Sequence, residues 1–389
     1  MTILAIILLV SLVFALLALV MTIVNLGVYQ KPPSAAGAAP LLSVCIPARN
    51  EEANLAPCVR SLLASTHQNI EVLAYDDQST DKTPQILASL IAEDDRVRAV
   101  PTVPLPQGWN GKQHACWRAA KEARGEWLVF TDADVRFEPD CLPRALAAAR
   151  EYNASLISTF PRQITGSLSE DLAVPMIFFV LFSYLPMTMM RMGHSPTASA
   201  GCGQFLMISR EAYDKSGGHS SCKDSMHDGV KLPRAVRRAG FHSDLFDGTD
   251  LVSVRMYRGL SQTWRGFTKN AYEGLGSFGL LMFFTIIHLL AHVLPWVVVA
   301  SEISSLALGR PADRAALLLA ILCVASNLVQ RVLLSSRFRQ GITPVLLHPV
   351  GVLFMTLIQW RSFYLALTNQ RSWRGRVGIQ PAASAPKPL

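Results

Sequence analysis

No charged residue occurs between Ile3 and Val28. A run of that length crosses a bilayer as a helix, because hydrocarbon offers backbone N–H and C=O groups no partners except one another. Nothing basic precedes it and Lys31 follows it. Length and flanks therefore predict an uncleaved anchor rather than a secretory signal, although the small residues at 33–36 imitate a cleavage site. Three further apolar runs, at 278–300, 315–334 and 345–368, each approach the roughly 20 residues needed to span. The expected plan is an anchor over 1–30, a linker over 31–40, a soluble α/β domain over 41–270, a membrane bundle over 278–368 and a tail over 369–389.

The chain holds 36 Lys and Arg against 28 Asp and Glu, a formal net charge of +8. Arg255, Arg258, Arg265 and Lys269 precede the second run, and Arg331, Arg337 and Arg339 follow the third. Positive residues stay on the cytoplasmic side. This predicts an integral protein of the cell (inner) membrane with its α/β domain in the cytoplasm. Arg371, Arg374 and Arg376 would lie outside if all four runs span, so one run is expected to be re-entrant or interfacial, with the choice open. Because the charges cluster beside apolar runs, nucleic acid is not the expected partner. The seven cysteines show no C-x-x-C pair and no zinc spacing, and are expected to be reduced thiols.

Within 41–270, strands are expected at 41–46, 70–75, 97–100 and 127–130, each followed by a helix. Asn54 suits the cap of the first helix, Pro57 its first turn, Pro84 the opening of the second, and Gly125 the end of the third. Strand–helix alternation at this spacing argues a largely parallel sheet covered on both faces. Three strand ends carry polar clusters: Pro47 to Glu51, Asp76-Asp77, and Asp132-Ala133-Asp134. In an open α/β sheet, ligands collect outside the carboxyl ends of strands, so these clusters predict one binding crevice. Two carboxylates one residue apart can aim oxygen ligands at one hard divalent cation, Mg²⁺ or Mn²⁺, and such a cation holds phosphates. Asp-rich turn chemistry is the plain alternative for each cluster taken alone.

These residues resemble the family 2 glycosyltransferases of the GT-A fold, a Rossmann-like architecture for nucleotide-diphospho-sugar transferases. Ser43-Val44-Cys45-Ile46-Pro47-Ala48-Arg49-Asn50-Glu51-Glu52 resembles the opening strand and turn, and Tyr75-Asp76-Asp77-Gln78-Ser79-Thr80-Asp81 resembles the D-D-x-S-T-D element. Thr131-Asp132-Ala133-Asp134 is similar to the metal-binding D-x-D, and residues 203–210 are similar to the acceptor-side strand. His227-Asp228 stands where the family usually has Glu-Asp. The resemblance covers roughly residues 41–267 and implies one N-terminal and about three C-terminal transmembrane helices around the α/β domain.

It also implies roles. Pro47, Ala48, Arg49 and Glu51 would hold base and ribose, with Asp76 and Asp77 beside the base. Asp134, helped by Asp132, would bind the cation bridging the diphosphate. Lys112, in Gly108-Trp109-Asn110-Gly111-Lys112, would reach the phosphates, and a lysine at a helix start suits an anion. Asp228 would be the general base, and in-line attack with one base inverts the anomeric carbon. With His227 beside it, no neighbouring anion raises its pKa. Gln262 and Arg265 match the Q-x-x-R-W element of polymer synthases, but Gly266 replaces its Trp and the indole moves to Trp264. Arg265 would face the diphosphate. The plain alternatives are a solvated helix residue for Lys112, a helix cap for Asp228 and a membrane flank for Arg265.

Residues 172–190 are unusually apolar for such a domain and predict an interfacial helix on the cytoplasmic leaflet, with core burial as the alternative. That segment, the 108–112 loop and Trp373-Arg374-Gly375-Arg376 resemble a lipid-directed branch containing carotenoid- and hopanoid-associated glycosyltransferases and ceramide glucosyltransferases. His288 and His292, four apart, suit packing or headgroup contact better than metal, since no third ligand is in sight. The expected function is transfer of one hexose from a nucleotide sugar, a UDP-hexose by this reading, to a lipid acceptor at the membrane. The alternatives are a processive polysaccharide synthase, a haloacid dehalogenase-type phosphohydrolase, whose D-x-D-x-[TV] pattern Asp132 to Val135 also meets, and a non-enzymatic membrane scaffold.

Overall fold

A computed structural model describes residues 2–35, 37–368 and 370, and the backbone of 372, 373, 376 and 377. The tail side chains invoked above, from Arg371 to Arg376, lie outside the described residues. Two compact units are present, and they interleave along the chain. One comprises Met1–Val28, Thr165–Pro186 and Tyr257–Ala366; the other comprises Tyr29–Ile164, Met187–Met256 and Leu367–Leu389. The expected 41–270 block is therefore not one contiguous piece, since 165–186 and 257–270 group with the long apolar helices.

The second unit is built on a seven-stranded sheet. Its strands are β1 (Leu42–Ala48), β2 (Ile70–Asp76), β3 (Val97–Ala99) and β4 (Trp127–Phe130). After β5 (Val135–Phe137) come β6 (Leu156–Ser158), β7 (Arg162–Gln163), β8 (Leu206–Ser209), β9 (Ser243–Leu245) and β10 (Val252–Val254). The sheet order is β3-β2-β1-β4-β8-β6-β9, and a small sheet orders β5-β10-β7. All neighbours in the large sheet are parallel except β8, which runs antiparallel to both β4 and β6.

Every residue of β1 is buried, which is why it reads as a continuous apolar run rather than an alternating one. Alternate side chains serve opposite faces. Val44 and Ile46 pack with Leu55, Val59 and Leu62 of helix Leu55–Leu63. Cys45 packs with Ala115, Cys116 and Ala119 of helix Gly111–Glu122. All seven cysteines are free thiols.

Two local expectations change. Asn54 makes no capping bond; its Nδ2 donates to Glu51 Oε2 at 2.8 Å. Gly125 does not end the third helix, which stops at Glu122. Gly125 instead lets the chain pass close under β1: its N–H donates to Ser43 Oγ at 2.7 Å, and a Cβ there would lie 2.6 Å from Leu41 O and 2.8 Å from Ser43 N. Neither backbone atom can yield. Gly125→Ala is expected to cost about 3 kcal/mol or more, read as a lowered thermal unfolding midpoint; an unchanged midpoint would contradict this packing.

The other unit holds four helices long and apolar enough to cross a membrane: Ile3–Val28, Phe278–Ala307, Arg314–Arg337 and His348–Leu367. The single helix expected over 172–190 is replaced by three short ones, Leu168–Ala173, Met176–Tyr184 and Met187–Met192, broken at Pro175 and Pro186. Helix Met176–Tyr184 lies among the long helices of its unit. Asn25 Nδ2 donates to Phe182 O (2.8 Å) and Leu185 O (2.7 Å), and Gln330 Nε2 reaches both Thr22 Oγ1 and Ser183 Oγ. Arg331, counted above as a charged flank, is fully buried. Its guanidinium donates to Pro344 O and Gln340 Oε1, so it ties backbone segments together. His348 joins the two expected histidines, with Nε2 at 3.2 Å from His292 Nδ1. Among the described residues, however, no three ligating side chains are arranged to hold a metal.

Candidate active site

Parallel strands β1, β2 and β4 end at one edge of the sheet. Ala48 lies opposite Asp76 and Cys45 opposite Phe130, so the turns after all three strands meet there. The antiparallel β8 brings a fourth segment to the same edge, because Leu206 pairs with Phe130 and places Gly203-Gln204 beside Thr131-Asp132. Thr131 Oγ1 donates to Gln204 O at 2.8 Å.

The turns after β1 and β2 are braided. Asn50 adopts a left-handed conformation (φ 53°), its Oδ1 accepts from Thr80 N, and its N–H donates to Ser79 Oγ. Glu51 N–H donates to Thr83 Oγ1, and Asp81 accepts from both Thr83 and Glu52. Much of the D-D-x-S-T-D element thus holds its own loop. Pro47, Ala48 and Glu51 are buried, with Ala48 O accepting from Asp77 N at 2.7 Å. Arg49 and Asp76 are half-buried; Arg49 Nη1 donates to Asp77 O and lies 3.9 Å from Asp77 Oδ2.

Lys112 is the centre of the arrangement. Asn110 Oδ1 caps the helix start by accepting from Lys112 N at 2.9 Å. From that first turn, Lys112 Nζ lies 2.8 Å from Asp132 Oδ1 and 3.0 Å from Asp228 Oδ2. Side-chain exposure is 32 % for Asp132 but only 8 % for Asp228. Burial by itself would raise the Asp228 carboxyl, but the Lys112 ammonium holds it below the ordinary aspartate range. Burial likewise opposes the charge on Lys112, yet Asp132 and then Asp228 hold it well above the ordinary lysine value. Two anions around one ammonium explain both directions.

Asp228 opens helix Asp228–Arg238, and His227 rather than Asp228 is the cap residue. Its Oδ1 accepts from Gly229 N at 2.9 Å, so the helix N-terminus also favours the ionised carboxylate. Glycines make room for it. A Cβ on Gly203 would fall 2.2 Å from Asp228 Oδ1, and one on Gly229 would fall 2.5 Å from Gly201 O.

Asp134 is half-buried, and Cys58 Sγ lies 3.7 Å from Asp132 O. The donor set at this strand end is two carboxylates. That fits Mg²⁺ or Mn²⁺, which keep water and substrate phosphates in their shells and need only one or two protein carboxylates.

Arg265 belongs to the other unit, exposed on helix Gly259–Thr268, with Nε donating to Ser261 O of the same helix. At Gly266, where a synthase has Trp, a Cβ would lie 2.1 Å from Tyr257 Cε1. The displaced Trp264 stacks obliquely on Phe354 at 5.8 Å.

Two buried side chains beside the site escaped sequence reasoning. His219 is fully buried against Phe130, with Nδ1 3.0 Å from Tyr213 Oη, and burial pushes its pKa down to about 4. Gln113 is buried beneath the loop that leads to Asp228. No motif marks either one.

The model of glycosyl transferase family 2 matches residues 43–217. The 4,4'-diaponeurosporenoate glycosyltransferase of Staphylococcus haemolyticus (strain JCSC1435) is 27 % identical over 260 residues, covering 66 % of this chain and 66 % of that protein. The enzyme of the same name from Staphylococcus aureus (strain USA300) is 27 % identical over 240 residues, covering 60 % of this chain and 62 % of its own. The matched stretch thus falls just short of two thirds of these relatives. In fold, the chain is similar to a mannosyltransferase of Pyrobaculum calidifontis solved with GDP-Man and Mn²⁺. That likeness has a TM-score of 0.52 at 16 % identity and covers 91 % of this chain and 99 % of that one.

Proposed function

The chain belongs to glycosyl transferase family 2, and on that premise we propose that it is a membrane-bound inverting enzyme that moves one hexose from a nucleotide sugar to a lipid acceptor. The observation that carries this reading is Lys112 bridging Asp132 and Asp228, with Nζ within 3.0 Å of both carboxylates. On this reading a phosphate-side cation, the first carboxylate of the D-x-D and the base lie within one side chain's reach.

In this reading Asp228 accepts the proton of the acceptor hydroxyl as its oxygen attacks the anomeric carbon, while a carboxylate acceptor attacks already ionised. The C–O bond to the diphosphate breaks on the opposite face, which inverts the centre. Lys112 turns from its carboxylates to the departing diphosphate. A divalent cation held by Asp132 and Asp134 would supply further charge neutralisation there. Arg49 and Asp76, half-buried at the ends of β1 and β2, would contact the nucleoside, with Pro47, Ala48, Glu51 and Asp77 shaping the turns behind them.

The donor is a UDP-hexose by this reading. The four long apolar helices and the relatives' named transfer to 4,4'-diaponeurosporenoate support an acceptor of lipid character. The basic residues flanking the spans favour a cytoplasmic catalytic unit in the cell membrane. A processive synthase is disfavoured because Tyr257 fills the space where its tryptophan would stand.

Membranes carrying the protein, incubated with a panel of radiolabelled nucleotide sugars, are expected to place one labelled hexose in an organic-extractable product whose anomeric configuration is opposite to the donor's. Label in a long polymer, retained configuration, or no transfer from any donor would each overturn the reading.

A further inference from the structure

Two buried amides tie the segment that carries Lys112 to the segment that carries Asp228. Asn110 is 4 % exposed and Gln113 1 %. Asn110 is bonded at four atoms: its Oδ1 caps the helix, its O accepts from His114 N at 2.9 Å, its N–H donates to Lys223 O at 2.6 Å, and its Nδ2 donates to Met226 Sδ at 3.0 Å. One turn on, Gln113 Nε2 donates to Ser225 O at 3.3 Å. Ser225 Oγ in turn accepts from His227 N at 2.9 Å, immediately before Asp228.

Capping alone would be served by Ser, Thr or Asp, and filling alone by an apolar residue. Burying two amides costs free energy unless they are hydrogen-bonded, so the partners they find hold both segments in place. Apart from the cap and the bond from His114, the bonds of Asn110 and Gln113 just described end at Lys223, Ser225 and Met226, just ahead of Asp228.

We propose that Asn110 and Gln113 are positioning residues, which set Asp228 at its working distance from Lys112 so that base and phosphate-side cation are placed as one body. This rests on the reading of Asp228 as base. A displacement of about 1 Å at such a centre costs about a hundredfold in rate.

The test uses the full chain in membranes or detergent. Asn110→Ser keeps a capping oxygen but does not reach Met226, and Gln113→Met keeps volume without the bond to Ser225. Each is expected to lower kcat about tenfold, and the pair about a hundredfold, while donor KM stays within about threefold and Tm within a few degrees. A double variant with kcat within about twofold of the parent, or a loss confined to donor KM, would overturn the proposal. If the pair does not accumulate, Gln113→Met alone is judged on the same two outcomes. Asp228→Asn runs alongside. Normal turnover there would sink the base reading, and this inference with it; loss there beside intact amide variants would sink this inference alone.

Discussion

Asp228→Asn is expected to lower transfer by about three orders of magnitude while donor binding survives. The amide has the size of the carboxylate, so it fits against Gly203, where not even a methyl group would find room. It retains an oxygen for Gly229 N–H but has no capacity to take the acceptor's proton. Lys112 would keep Asp132 as partner and remain available to phosphate. Calorimetric titration with the donor therefore separates binding from chemistry. Near-normal turnover would remove Asp228 from the base role.

The same geometry fixes a pH signature for a hydroxyl acceptor. Lys112 lowers the Asp228 pKa against the opposing effect of burial. The competent ionised form is present above that depressed value and is lost only as pH falls through it. The acidic limb of the kcat/KM profile, which reports the free enzyme with Lys112 on Asp228, should lie on the acid side of an ordinary aspartate.

Asp134→Ala should remove metal-dependent donor binding, weakening affinity for Mn²⁺ in the presence of nucleoside diphosphate by about a hundredfold or more. On the proposal that Asp132 and Asp134 hold the cation, loss of one leaves a single protein ligand, and the phosphates alone complete little of the shell. The measurement is a Mn²⁺ titration with UDP present, set against one without nucleotide. Unchanged metal dependence would place the cation elsewhere. The two variants are expected to fail differently, one in chemistry and the other in binding.

The strands at 42–48, 70–76 and 127–130 were legible because each is buried on both faces and bounded by turn residues. The convergence of the polar turns at their ends was legible for the same reason, since parallel neighbours bring successive carboxyl ends to one edge. Other features were not. Asn54 and Gly125 satisfy local rules for caps, yet Glu51 claims one side chain and the approach of Leu41 and Ser43 explains the other. Arg331 looked like a charged flank because a sequence does not reveal that three neutral acceptors surround its guanidinium. The apolar stretch over 172–190 read as one helix because its composition outweighed the breaks at Pro175 and Pro186.

Local order is written in the chain at close range. Lengths of apolar runs set the four candidate spans, short apolar runs bounded by turn residues set the strands and the helices between them, and short acidic clusters marked the sheet edge. Only the tertiary structure decided which distant groups meet. The reversed strand β8 carries Gly203 to the D-x-D end, glycines let Asp228 approach, and Lys112 finds both carboxylates at once. The physical reason is that burial and turn formation depend on neighbours in sequence. Close approach depends instead on sheet order and on the absence of single Cβ atoms, and neither leaves a period for a reader of sequence to find.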